Sequence, residues 1–432
     1  MMHIGVDISL LRIAQAGVLT YHRSLLDHLV RAGRDCHFTL IDVLPLNPGR
    51  SMLWLAALDS PNVRVVRCPG VRRGYLSALP AFRDGVAHPI AARIDRILDP
   101  IWSQLAVAEM GLELRGATRF VEVFHASDQL PYAPPGAATV LTIHDLTTRR
   151  FPDMHVAENV ALHAAKERFA RDRADRIIAV SEATRRDIVC ELGIPPERIS
   201  VVYEAADVRF RPRAPDETCS VLARYDIAHG AYVLSVGTLE PRKNYIRLIE
   251  AYAVLCARYA ADARRLPPLI IAGGYGWKHD AILAAPERAG VAGQVRFIGR
   301  IPDDDLPALV AGARLFVYPS LYEGFGLPPL EALASGTPVV VANTSSLPEV
   351  VGDAGLYCDP YQVSDIARQI AALLDSEDLA LRLRHAGIER AKQFSWERAA
   401  RETLAVYAQA RAERCARRRW QFTGFIPTAM TR

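Results

Sequence analysis

The chain has 432 residues and a formal net charge of +4, and half of its residues are hydrophobic while 23% are charged. This length exceeds what a single hydrophobic core usually supports, so two domains are expected. The balanced composition argues against long disorder, and the small net charge does not favour a nucleic-acid partner.

The sequence shows no pattern of secretion or membrane insertion. The first residues enter a strand pattern at once, without a basic and then apolar leader, and no apolar run reaches the roughly 18–20 residues of a membrane span. The seven cysteines are odd in number and never spaced as CxxC, which argues against a zinc site or a disulfide framework. We therefore predict a cytoplasmic protein that is at most peripheral on the inner face of the cytoplasmic membrane.

Short apolar runs alternate with longer helical patterns along the first half of the chain, as in parallel α/β units. Strands are predicted at residues 3–7, 38–43, 63–67, 121–125, 139–143, 176–180 and 200–202. Helical patterns lie between several of them, for example at 17–32 and 159–173, and a Pro-punctuated, largely helical insertion covers about 77–116.

A stretch rich in Pro and charge, near 207–215, interrupts this periodicity and predicts a linker. After it, strands are predicted at 232–236, 268–272, 295–298, 315–317, 339–341 and 356–358, and a last helical pattern runs from 396 to about 419. We predict two Rossmann-like domains facing across a cleft, at 1–208 and 218–395, with a linker at 209–217 and a C-terminal segment at 396–432.

The densest passage is PSLYEGFGLPPLEALASGTP, residues 319–338, in which a strand leads through a Gly-rich loop into a helix opened by two prolines. Free amides at such a helix start favour an anion. Glu331 is predicted in the first helical turn, where it can accept hydrogen bonds from ribose hydroxyls, and Glu323 on the loop, where it would face sugar hydroxyls. The alternative is that Glu331 merely complements the helix dipole.

A second passage, SVGTLEPRKN at residues 235–244, also lies between a strand and a helix. Two adjacent cations, Arg242 and Lys243, are unfavourable beside a helix start unless an anion binds there, and both side chains suit a diphosphate. A solvated Arg–Lys pair is the alternative reading.

At these two passages the chain resembles the retaining GT-B glycosyltransferases of group 4, over nearly the whole C-terminal half, including FIGRIPD at 297–303, and more loosely over the N-terminal domain. The resemblance implies an N-terminal acceptor domain, a C-terminal nucleotide-sugar domain and a C-terminal helix that crosses back to the N-terminal domain. In the family the second glutamate of the pair, here Glu331, holds the ribose. The first, here Glu323, lies against the transferred sugar.

The resemblance also implies a set of donor-binding residues. They are Gly17, Gly237, Thr238, Arg242, Lys243, Arg300, Gly324, Phe325, Gly326, Leu327 and Glu331. Thr238 departs from the family, because many members carry Arg there, and Arg242 is the expected replacement for that guanidinium.

The N-terminal half adds His144, which follows a predicted strand and, by the resemblance, contacts the donor sugar with Asp145 beside it. A structural histidine is the alternative. The catalytic residues are therefore predicted as His144, Glu323, Arg242 and Lys243. His125, at another strand end, is predicted either to line the cleft or to be structural.

No cofactor and no catalytic metal are predicted, because the basic residues would neutralise the leaving diphosphate. The acidic run Asp303–Asp304–Asp305 is explained as N-terminal capping of a helix. A Rossmann oxidoreductase is excluded, since the first βα turn lacks GxGxxG. A GT-B epimerase or hydrolase of a nucleotide sugar and a catalytically silent assembly subunit stay open.

The motif GTLEPRKN resembles the branch of the family that comprises the mannosyl- and rhamnosyltransferases of O-antigen and capsule assembly. This implies transfer of mannose or a similar hexose, with GDP-mannose as the expected donor, to a glycan or lipid-linked glycan in bacterial surface polysaccharide synthesis. UDP- and dTDP-sugars are alternatives. A basic C-terminal end, Arg411 to Trp420, favours a peripheral membrane contact, with a solvated helix end as the alternative.

Overall fold

The computed structural model describes residues 1–12, 16–44, 60–69, 114–127 and 133–423. The chain divides into two compact units. The first unit comprises Met1–Thr142, Arg168–Ile178 and Ala400–Arg432, and the second comprises Ile143–Glu167 and Ala179–Ala399. The predicted insertion at 77–116 lies, up to residue 113, outside the described residues.

Two sheets organise the described part of the chain. The first has seven strands in the order β3-β2-β1-β4-β5-β6-β7. These strands are β1 (Met2–Asp7), β2 (Cys36–Leu44), β3 (Val63–Pro69), β4 (Val123–Ala126), β5 (Ala138–Ile143), β6 (Arg176–Ala179) and β7 (Ile199–Val201). β1 pairs in parallel with both β2 and β4, so the chain crosses over between strands rather than turning back in hairpins.

The second sheet has six strands in the order β10-β9-β8-β11-β12-β13. They are β8 (Val233–Val236), β9 (Leu269–Ala272), β10 (Val295–Gly299), β11 (Leu315–Tyr318), β12 (Val339–Ala342) and β13 (Leu356–Cys358). Each of the thirteen strands overlaps a predicted one, with bounds that differ by at most two residues. The predicted fold class is confirmed, while the predicted domain boundaries stay a prediction.

Helices connect the strands. They are α1 (Ala16–Ala32), α2 (Thr147–Arg150), α3 (Ala157–Asp172), α4 (Glu182–Leu192), α5 (Pro215–Ala223), α6 (Tyr245–Ala261), α7 (Asp280–Leu283), α8 (Ala285–Arg288), α9 (Leu306–Ala311), α10 (Leu327–Ala334), α11 (Leu347–Val351), α12 (Val363–Asp375), α13 (Glu377–Ala391) and α14 (Trp396–Thr423). None of the described helices is long and apolar enough to cross a membrane.

Both faces of the six-stranded sheet are buried. Successive residues of β9 alternate between two separate apolar clusters, with Leu269 and Ile271 in one and Ile270 and Ala272 in the other. A parallel sheet covered on both sides needs such continuous apolar strands, which explains why the short runs were recognisable in the sequence. The polar loops that follow these strands are therefore held by a rigid base.

The C-terminal helix α14 packs within the first unit from Ala400 onward. The Tyr407 hydroxyl lies 2.6 Å from Nδ1 of His125, whose Nε2 lies 2.9 Å from the Thr142 hydroxyl. This contact confirms the expected return of the helix to the N-terminal half, and it makes His125 a buried structural residue.

The basic end of α14 is engaged in ion pairs. Arg411 pairs with Glu122, while Arg414 and Arg417 both pair with the buried Asp175. The side chains of Arg418, Arg419 and Trp420 lie outside the described residues. These three arginines are therefore both ion-paired and partly exposed, and the membrane contact and the solvated helix end both stay predictions.

Candidate active site

Glu323 is the centre of a buried charge cluster in the second unit. It lies on the loop between β11 and α10, and its Oε1 accepts hydrogen bonds from Lys243 Nζ at 2.6 Å and Ser320 Oγ at 2.6 Å. Arg242 Nη1 lies 2.9 Å from the same oxygen. Burial would raise the pKa of Glu323, but the two cations outweigh it and lower the pKa to about 2. Glu323 is thus a carboxylate across the working pH range.

Arg242 is held by three acceptors. Its Nη1 donates to the Tyr322 carbonyl at 2.8 Å as well as facing Glu323, and its Nη2 donates to Glu240 at 2.5 Å. Only 13% of its side chain is exposed, so the reading of a solvated Arg–Lys pair is wrong. Burial disfavours the charge, but the surrounding carboxylates raise the pKa of Arg242 well above its usual value.

Lys243 completes the cluster from the short turn Pro241–Lys243. Its ammonium donates to the Tyr318 hydroxyl at 2.7 Å as well as to Glu323. Burial and the neighbouring Arg242 lower the pKa of Lys243. The predicted residues Glu323, Arg242 and Lys243 are therefore brought together, as the sequence indicated.

The loop that carries Gly237 and Thr238 is pressed against the turn after β9. A Cβ on Gly273 would lie 1.9 Å from the Gly237 carbonyl oxygen, and one on Gly276 would lie 2.7 Å from Thr238 Cγ2. The Gly237 carbonyl also accepts a hydrogen bond from the Tyr245 hydroxyl at 2.9 Å. The Gly273–Gly276 stretch thus serves as a packing surface for this loop.

The Gly-rich loop Gly324–Phe325–Gly326 is buried and tied by hydroxyl groups. Ser181 Oγ donates to the Gly324 carbonyl at 2.6 Å, and Ser346 Oγ donates to the Phe325 carbonyl at 2.7 Å. Gly326 has φ of 109°, a conformation that favours glycine, and α10 begins at Leu327. The next two residues are prolines without N–H groups, so this helix start supplies fewer amides to an anion than an ordinary one.

The first turn of α10 contains no acidic residue, and Glu331 lies beyond it. The predicted place of Glu331 in that turn is therefore wrong. The reason is that the helix begins at Leu327, ahead of both prolines. Glu331 is 8% exposed. Burial, with added repulsion from Asp207 and Glu204, raises its pKa to about 8. This carboxyl group is therefore largely neutral at pH 7.

His144 and Asp145 follow β5 directly. The Nδ1 atom of His144 lies 3.4 Å from Oε1 of Glu204, and its carbonyl accepts a hydrogen bond from Thr184 Oγ1 at 3.2 Å. The Asp145 carboxylate accepts from the Thr147 amide and hydroxyl at 3.0 and 2.7 Å. Burial would raise the pKa of Asp145, but the positive charge of Arg242 helps to lower it. Asp145 therefore borders the same charge cluster, and His144 precedes it in the chain.

The predicted residues Gly17 and Arg300 lie on elements other than those that carry this cluster. Gly17 lies in the first turn of α1, in the first unit, and Arg300 is exposed just after β10.

The acidic run Asp303–Asp304–Asp305 does not cap a helix, because Asp305 makes no capping bond and instead pairs with Arg224 and Tyr225, each at 2.6 Å. Among the described residues, no three ligating side chains are grouped as a metal ion requires.

Sequence reasoning missed Glu240 and Glu204. Glu240 is buried against Arg242, and a single acid between a strand end and two cations was a usable signal for it. Glu204 follows β7 by three residues, and no spacing in the sequence relates it to His144.

Comparison with known proteins gives the family. The model of Glycosyltransferase Family 4 matches residues 16–210, and that of Glycosyl transferases group 1 matches residues 227–393. O-antigen chain mannosyltransferase B of Escherichia coli is 39% identical over 286 residues, which cover 66% of this chain and 74% of that protein. The chain belongs to glycosyltransferase family 4.

Two further matches to this family 4 glycosyltransferase cover different shares of the two chains compared. The serotype-specific mannosyltransferase WbdA of Escherichia coli is 33% identical over 229 residues, and the match spans 52% of this chain but only 28% of WbdA. The structure of sucrose-phosphate synthase from Thermosynechococcus elongatus superposes with a TM-score of 0.70, covering 96% of this chain and 100% of that one at 18% identity. The latter match shows the GT-B fold.

Proposed function

We propose that this glycosyltransferase moves mannose from a nucleotide diphosphate, GDP-mannose, to a glycan or lipid-linked glycan of bacterial surface polysaccharide. Transfer would proceed with retention and without a metal ion. The observation that carries the proposal is the pair of buried cations, Arg242 and Lys243, meeting on one oxygen of Glu323.

The two cations supply the charge that a leaving diphosphate needs. A buried, water-poor site strengthens their attraction for an anion, so negative charge that develops on the leaving oxygen would be stabilised. Lys243 and Arg242 now donate hydrogen bonds to the carboxylates of Glu323 and Glu240. A diphosphate would compete with these carboxylates for the same N–H donors. This arrangement supports metal-independent departure.

Glu323 is poorly suited to be a base or nucleophile. Its pKa of about 2 means that it has little tendency to take up a proton at neutral pH, and three donors occupy one of its oxygens. A sugar-orienting role against hydroxyl groups fits this chemistry better. An inverting enzyme needs a base near the acceptor hydroxyl, so the assignment of Glu323 to orientation is compatible with retention.

The sugar and the acceptor are inferred from relatives. O-antigen chain mannosyltransferase B and WbdA are named for mannosyl transfer, and the former also for O-antigen chains. These names support mannose and a surface polysaccharide. We further propose, from the resemblance to the family, that the Glu331 carboxyl group meets the ribose of the donor.

The decisive experiment combines ligand-induced stabilisation with product analysis. The purified protein is heated with GDP, UDP or dTDP and their sugar conjugates in chelator, where a ligand at about 100 times its dissociation constant adds roughly 2.7 kcal/mol. We expect stabilisation by GDP and GDP-mannose in the wild type and its loss in Lys243→Ala. Lys392→Ala is the control, because Lys392 is exposed and pairs only locally with Glu389.

Transfer to a mannose-terminated lipid-linked acceptor is then followed by NMR of the anomeric proton. The expected product keeps the α configuration of the donor. Stabilisation by another nucleotide alone, dependence on a divalent ion, or a β-linked product would each overturn the corresponding part of the proposal.

A further inference from the structure

We infer that Glu204 is a positioning residue for His144, which sets the tautomer and orientation of the imidazole that faces the sugar. The inference rests on the proposed function only for the part that concerns the sugar. Glu204 belongs neither to the glutamate pair nor to the cationic turn, and it lies 3.4 Å from Nδ1 of His144.

The backbone of His144 is already fixed by other contacts. Its carbonyl accepts from Thr184 Oγ1, and Gly324 packs so closely that a Cβ there would lie 1.8 Å from the same oxygen. These contacts act on the backbone of His144 and not on its imidazole ring. An ionised carboxylate 3.4 Å from Nδ1 favours one ring orientation and one tautomer, because it can accept a hydrogen bond only from an Nδ1–H group.

Both partners are removed from water, with exposed side-chain fractions of 14% for His144 and 5% for Glu204. A buried carboxyl group is costly unless it is hydrogen-bonded, and burial raises the pKa of Glu204 while His144 opposes that rise. Replacing such a pair by apolar groups is often neutral or stabilising. A contribution to stability therefore does not explain why this pair is present. Orientation of a reacting side chain is the role that this geometry supports.

With Nδ1–H donated to Glu204, the Nε2 atom of His144 carries a lone pair and accepts a hydrogen bond. A donor-sugar hydroxyl is the partner that it suits. With the proton on Nε2 instead, the ring would donate the hydrogen bond, and the sugar hydroxyl would have to accept it.

The test measures the tautomer directly and needs no substrate. In a two-bond ¹H–¹⁵N spectrum of protein labelled at histidine, with His144 assigned from His144→Asn, the wild type should show Nδ1 protonated and Nε2 bare. Any other wild-type state overturns the inference. In Glu204→Gln this pattern should be lost or mixed, and an unchanged pattern in that variant also overturns it.

Kinetics separate positioning from a structural role. Glu204→Gln should lower kcat by roughly 10- to 100-fold, with the donor KM changed by about threefold at most. In a His144→Asn background, Glu204→Gln should have no further effect on kcat, because it acts through the missing ring. Equal losses in both backgrounds would overturn the inference.

Asp305→Asn is the matched control, since Asp305 is a buried, paired carboxylate of the same unit outside the site. It should lose stability and keep kcat. If no donor supports transfer by the wild type, the proposed function fails, yet the tautomer measurement still decides the role of Glu204.

Discussion

The carbonyl oxygen of His144 occupies the space that a side chain on Gly324 would need. A Cβ built on Gly324 would lie 1.8 Å from that oxygen and 2.7 Å from the carbonyl carbon. The Gly-rich loop before α10 and the strand end that carries His144 therefore meet backbone to backbone. Ser181 and Thr184, which both donate to the Gly324 carbonyl, keep them together.

Gly324→Ala should abolish this approach. Because the blocking atoms are backbone, one of the two segments has to move, which displaces His144 relative to the Gly-rich loop. We expect kcat/KM to fall at least about 100-fold, since misplacement by about 1 Å has that effect, and the free energy of unfolding to drop by about 1–3 kcal/mol. Gly293→Ala is the control, because a Cβ there meets nothing within 4 Å. Wild-type kinetics in Gly324→Ala would show that the contact is not needed.

Glu331 should make the protein less stable as the pH rises. Its folded pKa of about 8 exceeds the unfolded value of 4.5, so the folded state holds a proton that the unfolded state has lost between these values. The stability present below pH 4.5 is therefore lost progressively up to about pH 8. Glu331→Gln, which stays neutral, should match the wild type at pH 4 and exceed it by about 3 kcal/mol at pH 7 in urea unfolding.

The same group links donor binding to pH. If Glu331 meets the ribose as proposed, its ionised form accepts the stronger hydrogen bonds, so we expect GDP to bind more tightly as the pH rises through 8 and to release a proton. Calorimetry in two buffers of different ionisation enthalpy measures this release. Glu331→Gln should bind weakly and without the proton, and a wild type whose GDP affinity is flat between pH 6 and 9 would contradict the assignment.

Glu323 should behave in the opposite sense. Its folded pKa of about 2 is below the unfolded 4.5, so its contribution is fully present above pH 4.5 and is lost as the pH falls toward 2. Glu323→Gln should cost about 3 kcal/mol of unfolding free energy at pH 7 and progressively less below pH 4.5. Glu389→Gln, at an exposed pair with Lys392, should cost little at any pH. A constant deficit from pH 7 to 3 would contradict this account.

The strands and the central cluster were predictable for the same reason. The strands are short buried apolar runs, and β9 and β11 carry such residues on both faces. Glu323 and Lys243 lie in loops that directly follow such strands, where a parallel sheet gathers its ligand-binding groups. The local spacing in the sequence was therefore enough to predict that these residues belong to one site.

Other features depend on tertiary packing. The distance from Glu204 to His144 is set by the positions of two separate strand ends, and no local pattern records it. Asp305 looked like a helix cap, yet its carboxylate accepts hydrogen bonds from Arg224 and Tyr225, which come directly after α5. Glu331 was placed in the first turn, although it is the fifth residue of the helix, because two prolines fit several positions of a first turn and do not identify which residue begins the helix.

Arg242→Lys tests the expectation from the sequence that this guanidinium replaces the arginine of the family pattern at the position of Thr238. Two η nitrogens of Arg242 serve three acceptors, the Tyr322 carbonyl, Glu323 and Glu240, and one ammonium cannot match that planar fork. We expect the unfolding free energy to fall by about 1.5–3 kcal/mol and the donor KM to rise roughly tenfold. Arg224→Lys, at a pair with Asp305 outside the site, should leave the donor KM unchanged. If Arg242→Lys loses stability but keeps its donor KM, the guanidinium shapes the loop and Lys243 alone meets the diphosphate.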